Sequence, residues 1–208
     1  MTLSKIIFIS CALLLISSAS AIAQGNLLDK GESGSSLIYG YTDSDNATIT
    51  QGSFVVTAKG VVDFGITLGS INPDGFGDNL KIFGLHLELF PIRESAKSGI
   101  PINLSIFGIW TNHDPNNSNS YGLGGSLFKK FNLGERGYFV PTFRLTKVWP
   151  FSFDNDPVNV TSFEFPLVLK ITSKVRLSFA WSISDSDVES GTSMFIGITF
   201  MGQTKNKK

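Results

Sequence analysis

The stretch VVDFGITLG, residues 61–69, alternates apolar and polar side chains along its whole length. A β-strand points successive side chains to opposite sides of its sheet. One face of this strand therefore carries Val62, Phe64, Ile66 and Leu68, and the other carries Asp63, Gly65 and Thr67. Because one face favours hydrocarbon and the other favours water or polar partners, the stretch predicts a strand from a sheet with two unlike sides.

Four more stretches alternate in the same way. Their apolar series are Phe83, Leu85, Leu87 and Leu89; Phe163, Phe165, Leu167 and Leu169; Val175, Leu177, Phe179, Trp181 and Ile183; and Met194, Ile196, Ile198 and Phe200. Turn-forming residues separate the runs. The full pattern predicts ten antiparallel strands, at residues 36–42, 48–57, 61–69, 79–91, 100–111, 119–131, 137–149, 160–171, 174–184 and 192–201. The first two are the weakest, which leaves a count of eight open.

Residues 1–23 have the features of an export signal. Lys5 precedes an apolar core at residues 6–16, and the segment ends in Ala21-Ile22-Ala23, whose small first and third residues suit signal peptidase. The core is too short to span a bilayer, so we expect cleavage before Gln24. Cys11 is the only cysteine and lies in this segment, so the mature chain is predicted to contain no disulfide, no cysteine metal site and no cysteine nucleophile.

The composition favours an all-β protein. The chain has 18 Phe and 21 Gly residues, which suit strands and tight turns, and helical periodicity is hard to find. Its 17 basic and 17 acidic residues give a formal net charge of zero, so bulk charge provides no argument for nucleic-acid binding.

The predicted connections segregate by charge. An even number of antiparallel strands places both termini at one end, and the five loops at the opposite end contain acidic residues and no Lys or Arg. The acids are Asp43, Asp45, Asp74, Asp78, Asp114, Asp154, Asp156, Asp185, Asp187 and Glu189. The terminal end instead carries Lys59, Arg93, Lys97, Arg136, Lys205, Lys207 and Lys208. The favoured interpretation is that these acids are solvated turn residues, since Asp is common in turns. Binding of divalent cations is the sharper hypothesis, although no loop has calcium-loop spacing and no metal ligands are predicted.

The polar face of the strands carries a balanced set of charges. The acids Asp63, Glu88 and Glu164 share that face with Arg144, Lys170 and Arg176, and His86 lies beside Glu88. If the sheet closes into a narrow barrel, these side chains point into the lumen, where a buried ion requires a partner. We therefore expect a plug of paired charges, with a conducting pore as the alternative.

The apolar face is expected to end in interfacial residues. Trp110, Trp149 and Trp181 fall towards the acidic end, Tyr138 is assigned to the opposite rim, and Lys81 and Lys147 have outward parity near the acidic rim. Aromatic girdles and snorkelling lysines are typical of a membrane interface. Phe107 and Ile109 have inward parity, unless a bulge turns them outward.

These features together resemble a small bacterial outer-membrane β-barrel of the eight- to ten-stranded surface type. The resemblance implies an up-and-down transmembrane barrel in the outer membrane of a diderm bacterium, with membrane lipids including lipopolysaccharide as partners. It divides the chain into a signal peptide at 1–23, a short periplasmic segment at 24–35, the barrel at 36–201 and a polar periplasmic tail at 202–208. The final strand, with Met194, Ile196, Ile198 and Phe200, resembles the signal that the barrel assembly machinery recognises.

No catalytic residue and no cofactor is predicted. His86, Glu88 and Ser105 form a conceivable hydrolytic trio, but a structural histidine in the lumen is favoured, and His113 is interpreted as a solvated loop residue. A soluble barrel that encloses a lipid is disfavoured by the charged inner face. We expect a structural or surface-interaction protein. The alternatives are a narrow channel for small solutes and a lipid-modifying enzyme.

Overall fold

The computed structural model describes residues 31–45, 47–73, 79–94, 101–114, 118–151, 156–187 and 190–204. The expected export signal, the acids Asp74, Asp78, Asp154 and Glu189, and the lysines at 97, 205, 207 and 208 lie outside these ranges. Within the described ranges, no helix is long and apolar enough to cross a membrane.

The described ranges contain twelve strands and one short 3-10 helix, in this order along the chain. The strands are β1 (Ser33–Ser44), β2 (Ala47–Ala58), β3 (Val62–Pro73), β4 (Leu80–Ile92), β5 (Asn103–Asp114), β6 (Ser118–Phe128), β7 (Phe131–Asn132), β8 (Gly137–Phe139), β9 (Thr142–Phe151), β10 (Val158–Lys170), β11 (Val175–Ser186) and β12 (Ser190–Thr204), and the 3-10 helix is Gly134–Arg136. Neighbouring strands pair antiparallel, and β1 also pairs with β12, so the sheet closes on itself.

The wall of the barrel has ten strands, as the alternation predicts, and the count of eight is excluded. The seventh wall strand is made of two pieces, because β8 and β9 both pair with β10. Between the two pieces lies Pro141, and Pro166 of β10 faces the same gap, where its carbonyl accepts a hydrogen bond from Val140 N at 2.9 Å. Proline has no N–H to donate to a ladder, so both prolines fit where the ladder is interrupted.

The two ends of the barrel differ in their connections. The start of β1, the end of β12 and the 3-10 helix lie at one end, which we call the near rim, and the β1–β2 turn lies at the other, the far rim. Strand β12 runs to Thr204, so residues 202–204, predicted as part of the tail, belong to the sheet.

The faces of the sheet have the polarity that the sequence predicts. Outward side chains include large exposed apolar residues on many strands: Leu37, Leu68, Ile106, Leu123 and Met194 are 53–62% exposed. Inward side chains are buried on all ten wall strands, as one residue from each illustrates: Ile38, Val55, Thr67, Phe90, Phe107, Phe128, Val148, Val168, Ser178 and Phe195. The barrel therefore exposes apolar side chains on its outer face and buries its inward side chains.

Large inward side chains lie over glycines on neighbouring strands. The Phe195 ring occupies the space that a Cβ would need at Gly40 and at Gly197, which face each other across β1 and β12. The His86 ring does the same at Gly65 of β3. This alternation of large and small residues is how a narrow barrel accommodates its inward side chains.

We expect Gly40→Ala to destabilise the barrel by about 1–3 kcal/mol, because the new methyl group overpacks against the Phe195 ring. The matched control is Gly52→Ala on β2, where the nearest atom to a new Cβ is the Ile38 carbonyl oxygen at 3.9 Å. Denaturant unfolding in detergent micelles measures both variants, and adding Phe195→Leu should relieve the defect at Gly40. Equal effects of Gly40→Ala and Gly52→Ala would contradict this packing.

Candidate functional site

Four charged side chains form a cluster inside the barrel, the lumen charge cluster, defined as Asp63, Glu88, Arg144 and Glu164. Asp63 of β3 lies directly opposite Glu88 of β4. Arg144 of β9 and Glu164 of β10 make an ion pair with 3.6 Å between Nε and Oε1. All four residues are at most 1% exposed. Buried ions of this kind hold together only through their partners.

The cluster contains three carboxyl groups and one guanidinium. Arg144 acts electrostatically on both Glu88 and Glu164, while Asp63 and Glu164 oppose the charge of Glu88. Two acidic residues directly opposite each other on adjacent strands destabilise a sheet unless a cation compensates. Arg144 is the basic residue of the cluster, so its removal is expected to affect all three acids.

Phe107 completes the surroundings of Arg144. It is 3% exposed, and the Arg144 guanidinium carbon lies 4.8 Å from the centre of its ring. The ladders on both sides of Phe107 are regular, pairing it with Glu88 and Gly124. A Cβ at Gly124 would be 2.6 Å from Phe107 Cζ, so the ring lies over that glycine. The sequence left open whether the Phe107 side chain points inward or is turned outward by a bulge. In the structure it points inward, and there is no bulge at this residue.

The predicted set of six balancing charges is divided into two groups. Lys170 lies six residues from Glu164 along β10, which at the rise of a strand is about 20 Å. Arg176 lies directly opposite Lys170 at the near rim. Of the three predicted basic partners, Arg144 lies with the acids of the lumen charge cluster, whereas Lys170 and Arg176 belong to a separate group.

Tyr138 belongs to this second group, which corrects its assignment to the outer, lipid-facing surface. It lies opposite Val168, which is fully buried, so both side chains point inward. The nitrogen Nζ of Lys130 lies 4.3 Å from the centre of the Tyr138 ring, and that of Lys170 lies 4.6 Å away. The Arg176 guanidinium carbon is at 5.4 Å. The near rim thus gathers three cations around one aromatic ring.

The conceivable hydrolytic trio is assembled only in part, because Ser105 lies beside Glu88 but the His86 ring packs elsewhere. Ser105 shares a hydrogen bond with Ser126 across β5 and β6, with 2.6 Å between the hydroxyl oxygens. The His86 ring packs over Gly65 of β3, on the side of β4 away from β5 and Ser105. Its Nε2 atom is buried without a hydrogen-bond partner. His86 therefore fills space beside the lumen charge cluster.

His113 is an inward residue of β5, so its interpretation as a solvated loop residue is wrong. It is 2% exposed, and its Nε2 atom shares a hydrogen bond of 2.9 Å with the Thr111 hydroxyl. The Asn and Asp residues around His113 are typical of a loop, and they led to the prediction of a loop where β5 continues to Asp114.

The remaining expected interface residues lie on the outer face. Trp110 packs edge-on against Phe83 with ring centres 5.7 Å apart, and Trp181 stacks on Phe165 at the same distance. Lys81 and Lys147 are exposed, and Lys147 Nζ lies 5.6 Å from the Trp149 ring. These side chains have the orientation that contact with a membrane interface requires; the contact itself stays a prediction.

Several acids of the far rim join neighbouring segments of the chain. Thr192 N donates to Asp45 Oδ2 at 2.9 Å, which links the β1–β2 turn to β12. The Ser190 hydroxyl donates to Asp185, and Asn159 Nδ2 donates to Asp187, both at 2.8 Å. In the part of the chain that the structure describes, no group of three or more metal-ligating side chains is found. These carboxylates therefore have a structural role as turn acceptors.

Comparison with solved structures finds similarity to outer-membrane β-barrel proteins. No protein-family model and no curated protein matches the chain. An outer-membrane channel from Pseudomonas putida F1 is 8% identical with a TM-score of 0.48, over 85% of this chain and 97% of that one. The NanC porin is 11% identical with a TM-score of 0.43, over 80% and 98%. The translocator domain of the autotransporter NalP from Neisseria meningitidis is 8% identical with a TM-score of 0.44, over 93% and 98%. Identities this low carry no information about activity or ligand.

We expect Arg144→Met to lower the free energy of unfolding by about 3–5 kcal/mol, because it leaves buried carboxylates without their cation. Lys147→Met on the same strand is the control, and since Lys147 is an exposed residue over a tryptophan ring it should cost less than about 1 kcal/mol.

Adding Glu164→Gln to Arg144→Met should cost less than the two single effects together, because the pair is coupled. Denaturant unfolding of detergent-solubilised protein measures all four variants. A loss for Arg144→Met no larger than that for Lys147→Met would contradict the role of Arg144.

Proposed function

We propose that this chain is an outer-membrane β-barrel whose lumen is closed by its own side chains and which serves a structural or surface-interaction role. The observation that carries the proposal is the polarity of its two faces: exposed Leu, Ile, Phe and Met side chains point outward, and ionisable residues point inward. Soluble monomers rarely expose so continuous an apolar surface. A closed barrel satisfies its backbone hydrogen bonds internally, which a membrane-spanning structure requires.

The interior argues against a soluble lipid-carrying barrel. Such a protein needs an apolar cavity. Here the interior contains Asp63, Glu88, Arg144 and Glu164, each at most 1% exposed. An acyl chain would have to displace these groups from their partners, so hydrocarbon is better placed outside the wall.

The orientation follows from the two rims. In bacterial outer-membrane barrels with an even number of strands, the chain ends face the periplasm. The near rim with its basic residues would then be periplasmic, and the acidic far rim would face outward. Exposed Lys81 and Lys147 near the far rim would be placed to meet anionic lipid phosphates, including those of lipopolysaccharide.

A non-catalytic role fits the interior best. The Ser105 hydroxyl is engaged with Ser126, and the His86 ring packs over Gly65 on the opposite side of its strand. Hydrolysis requires a nucleophile and a base within hydrogen-bond reach. The burial of inward side chains on all ten wall strands favours a closed, non-conducting lumen.

Conductance in planar bilayers tests the proposal. The mature protein is purified from the outer-membrane fraction, where the proposal locates it, and reconstituted. We expect no stable conductance steps from the wild-type protein. The double variant Phe107→Ala and Phe195→Ala removes two large rings from the interior and should produce steps.

The matched control removes two outward rings, Phe64→Ala and Phe179→Ala, which are 46% and 36% exposed, and should stay silent. Stable steps from the wild-type protein would replace the closed barrel with the narrow-channel alternative. Absence of the protein from the outer-membrane fraction would overturn the proposed location.

A further inference from the structure

Three cations and a tyrosine form a group at the near rim that the proposed role does not explain. We call it the basic corner and define it as Lys130, Tyr138, Lys170 and Arg176. The three cationic centres all lie within 5.4 Å of the centre of the Tyr138 ring. A ring has two faces, so at least two of the cations share one of them.

The basic corner brings like charges close together. Lys170 and Arg176 lie directly opposite each other on β10 and β11, an arrangement that destabilises a sheet when both residues have the same sign. Glu32 acts electrostatically on Arg176. A ring quadrupole attracts a cation but does not neutralise it.

Buried donors next to the basic corner lack partners. Arg176 is 8% exposed, and its Nε and Nη1 atoms have no hydrogen-bond partner. Thr199 lies directly opposite Arg176 on β12, and Ser178 follows two residues later on β11. Both of these side chains are 1% exposed, and their hydroxyls also have no partner. Buried polar groups in folded proteins are usually paired, so these donors are suited to a ligand with several acceptor atoms.

We propose that the basic corner binds a soluble phosphate group. A phosphate offers oxygens in the geometry that a guanidinium recognises through two hydrogen bonds, and further oxygens for hydroxyl donors. Arg176 supplies the directed contact, Thr199 and Ser178 supply hydroxyls, and Lys130 and Lys170 supply charge from the half-buried side nearer the rim.

The direction of the side chains identifies the source of the phosphate. Tyr138 and Arg176 point to the inside of the barrel, and Arg176 is almost fully buried there. A phospholipid headgroup lies outside the wall, whereas a soluble phosphate reaches the corner through the near mouth. The site therefore takes a free phosphate or a small phosphorylated solute.

Calorimetric titration with inorganic phosphate tests the site. The mature protein is folded in a maltoside detergent, which contains no phosphate, at low salt. We expect saturable binding to one site that weakens as ionic strength rises. Arg176→Gln and Lys130→Gln should each weaken binding about tenfold or more, because each removes a charge-assisted contact.

Lys130→Gln keeps the test independent of folding, because Lys130 lies in the segment between β6 and β7 and makes no ladder pairs. Arg93→Gln is the matched control. Arg93 is also at the near rim, but it packs over the Phe90 ring at 4.9 Å, and its replacement should leave phosphate binding unchanged.

A second arm uses phosphatidylglycerol vesicles in place of inorganic phosphate. Binding of free phosphate that is lost in Arg176→Gln and Lys130→Gln, but not in Arg93→Gln, supports the proposal. No saturable binding of free phosphate, equal binding by all variants, or binding of the vesicles alone would overturn it.

Discussion

The rest of the structure depends on the pairing of β1 with β12, which runs without a break from Ser33 opposite Thr204 to Ser44 opposite Ser193. This ladder removes both edges of the sheet and fixes for every residue whether its side chain points in or out. A closed sheet of ten strands also fixes the volume of the interior. Inward side chains must then fill that volume, and outward side chains must find their contacts elsewhere.

The fixed interior accounts for residues that look unrelated in the sequence. Phe195, His86 and Phe107 are large inward residues, and each lies over a glycine of a neighbouring strand. The polar inward residues are constrained by charge. Arg144 acts electrostatically on Glu88 and Glu164, and its guanidinium lies over the Phe107 ring. Packing and ion pairing thus act on the same few inward side chains.

Period-two alternation predicts much of this fold, because a strand exposes its two faces in turn whatever its tertiary neighbours. It gives the ten strands and the inward position of Arg144. Tyr138 and Trp149 lie an odd number of residues apart, so alternation places their side chains on opposite faces of the sheet. The outward assignment of Tyr138 is inconsistent with this alternation. Alternation shows which face a side chain is on but not how far along the barrel axis it lies. The sequence therefore groups Lys170 with the buried acids, although it lies near the rim. The break at Pro141 depends on its contact with β10, a long-range pairing that one sequence does not reveal.

Site-directed spin labelling in lipid bilayers tests most directly that the apolar face contacts acyl chains. The mature chain is expected to contain no cysteine, so a label at Ile196→Cys, an outward residue that is 46% exposed, is unambiguous. Ser190→Cys at the far rim is the reference position. We expect the label at 196 to be relaxed by dissolved oxygen and shielded from a water-soluble nickel complex, and the label at 190 to show the reverse. A label at 196 that is open to the nickel complex would contradict the account.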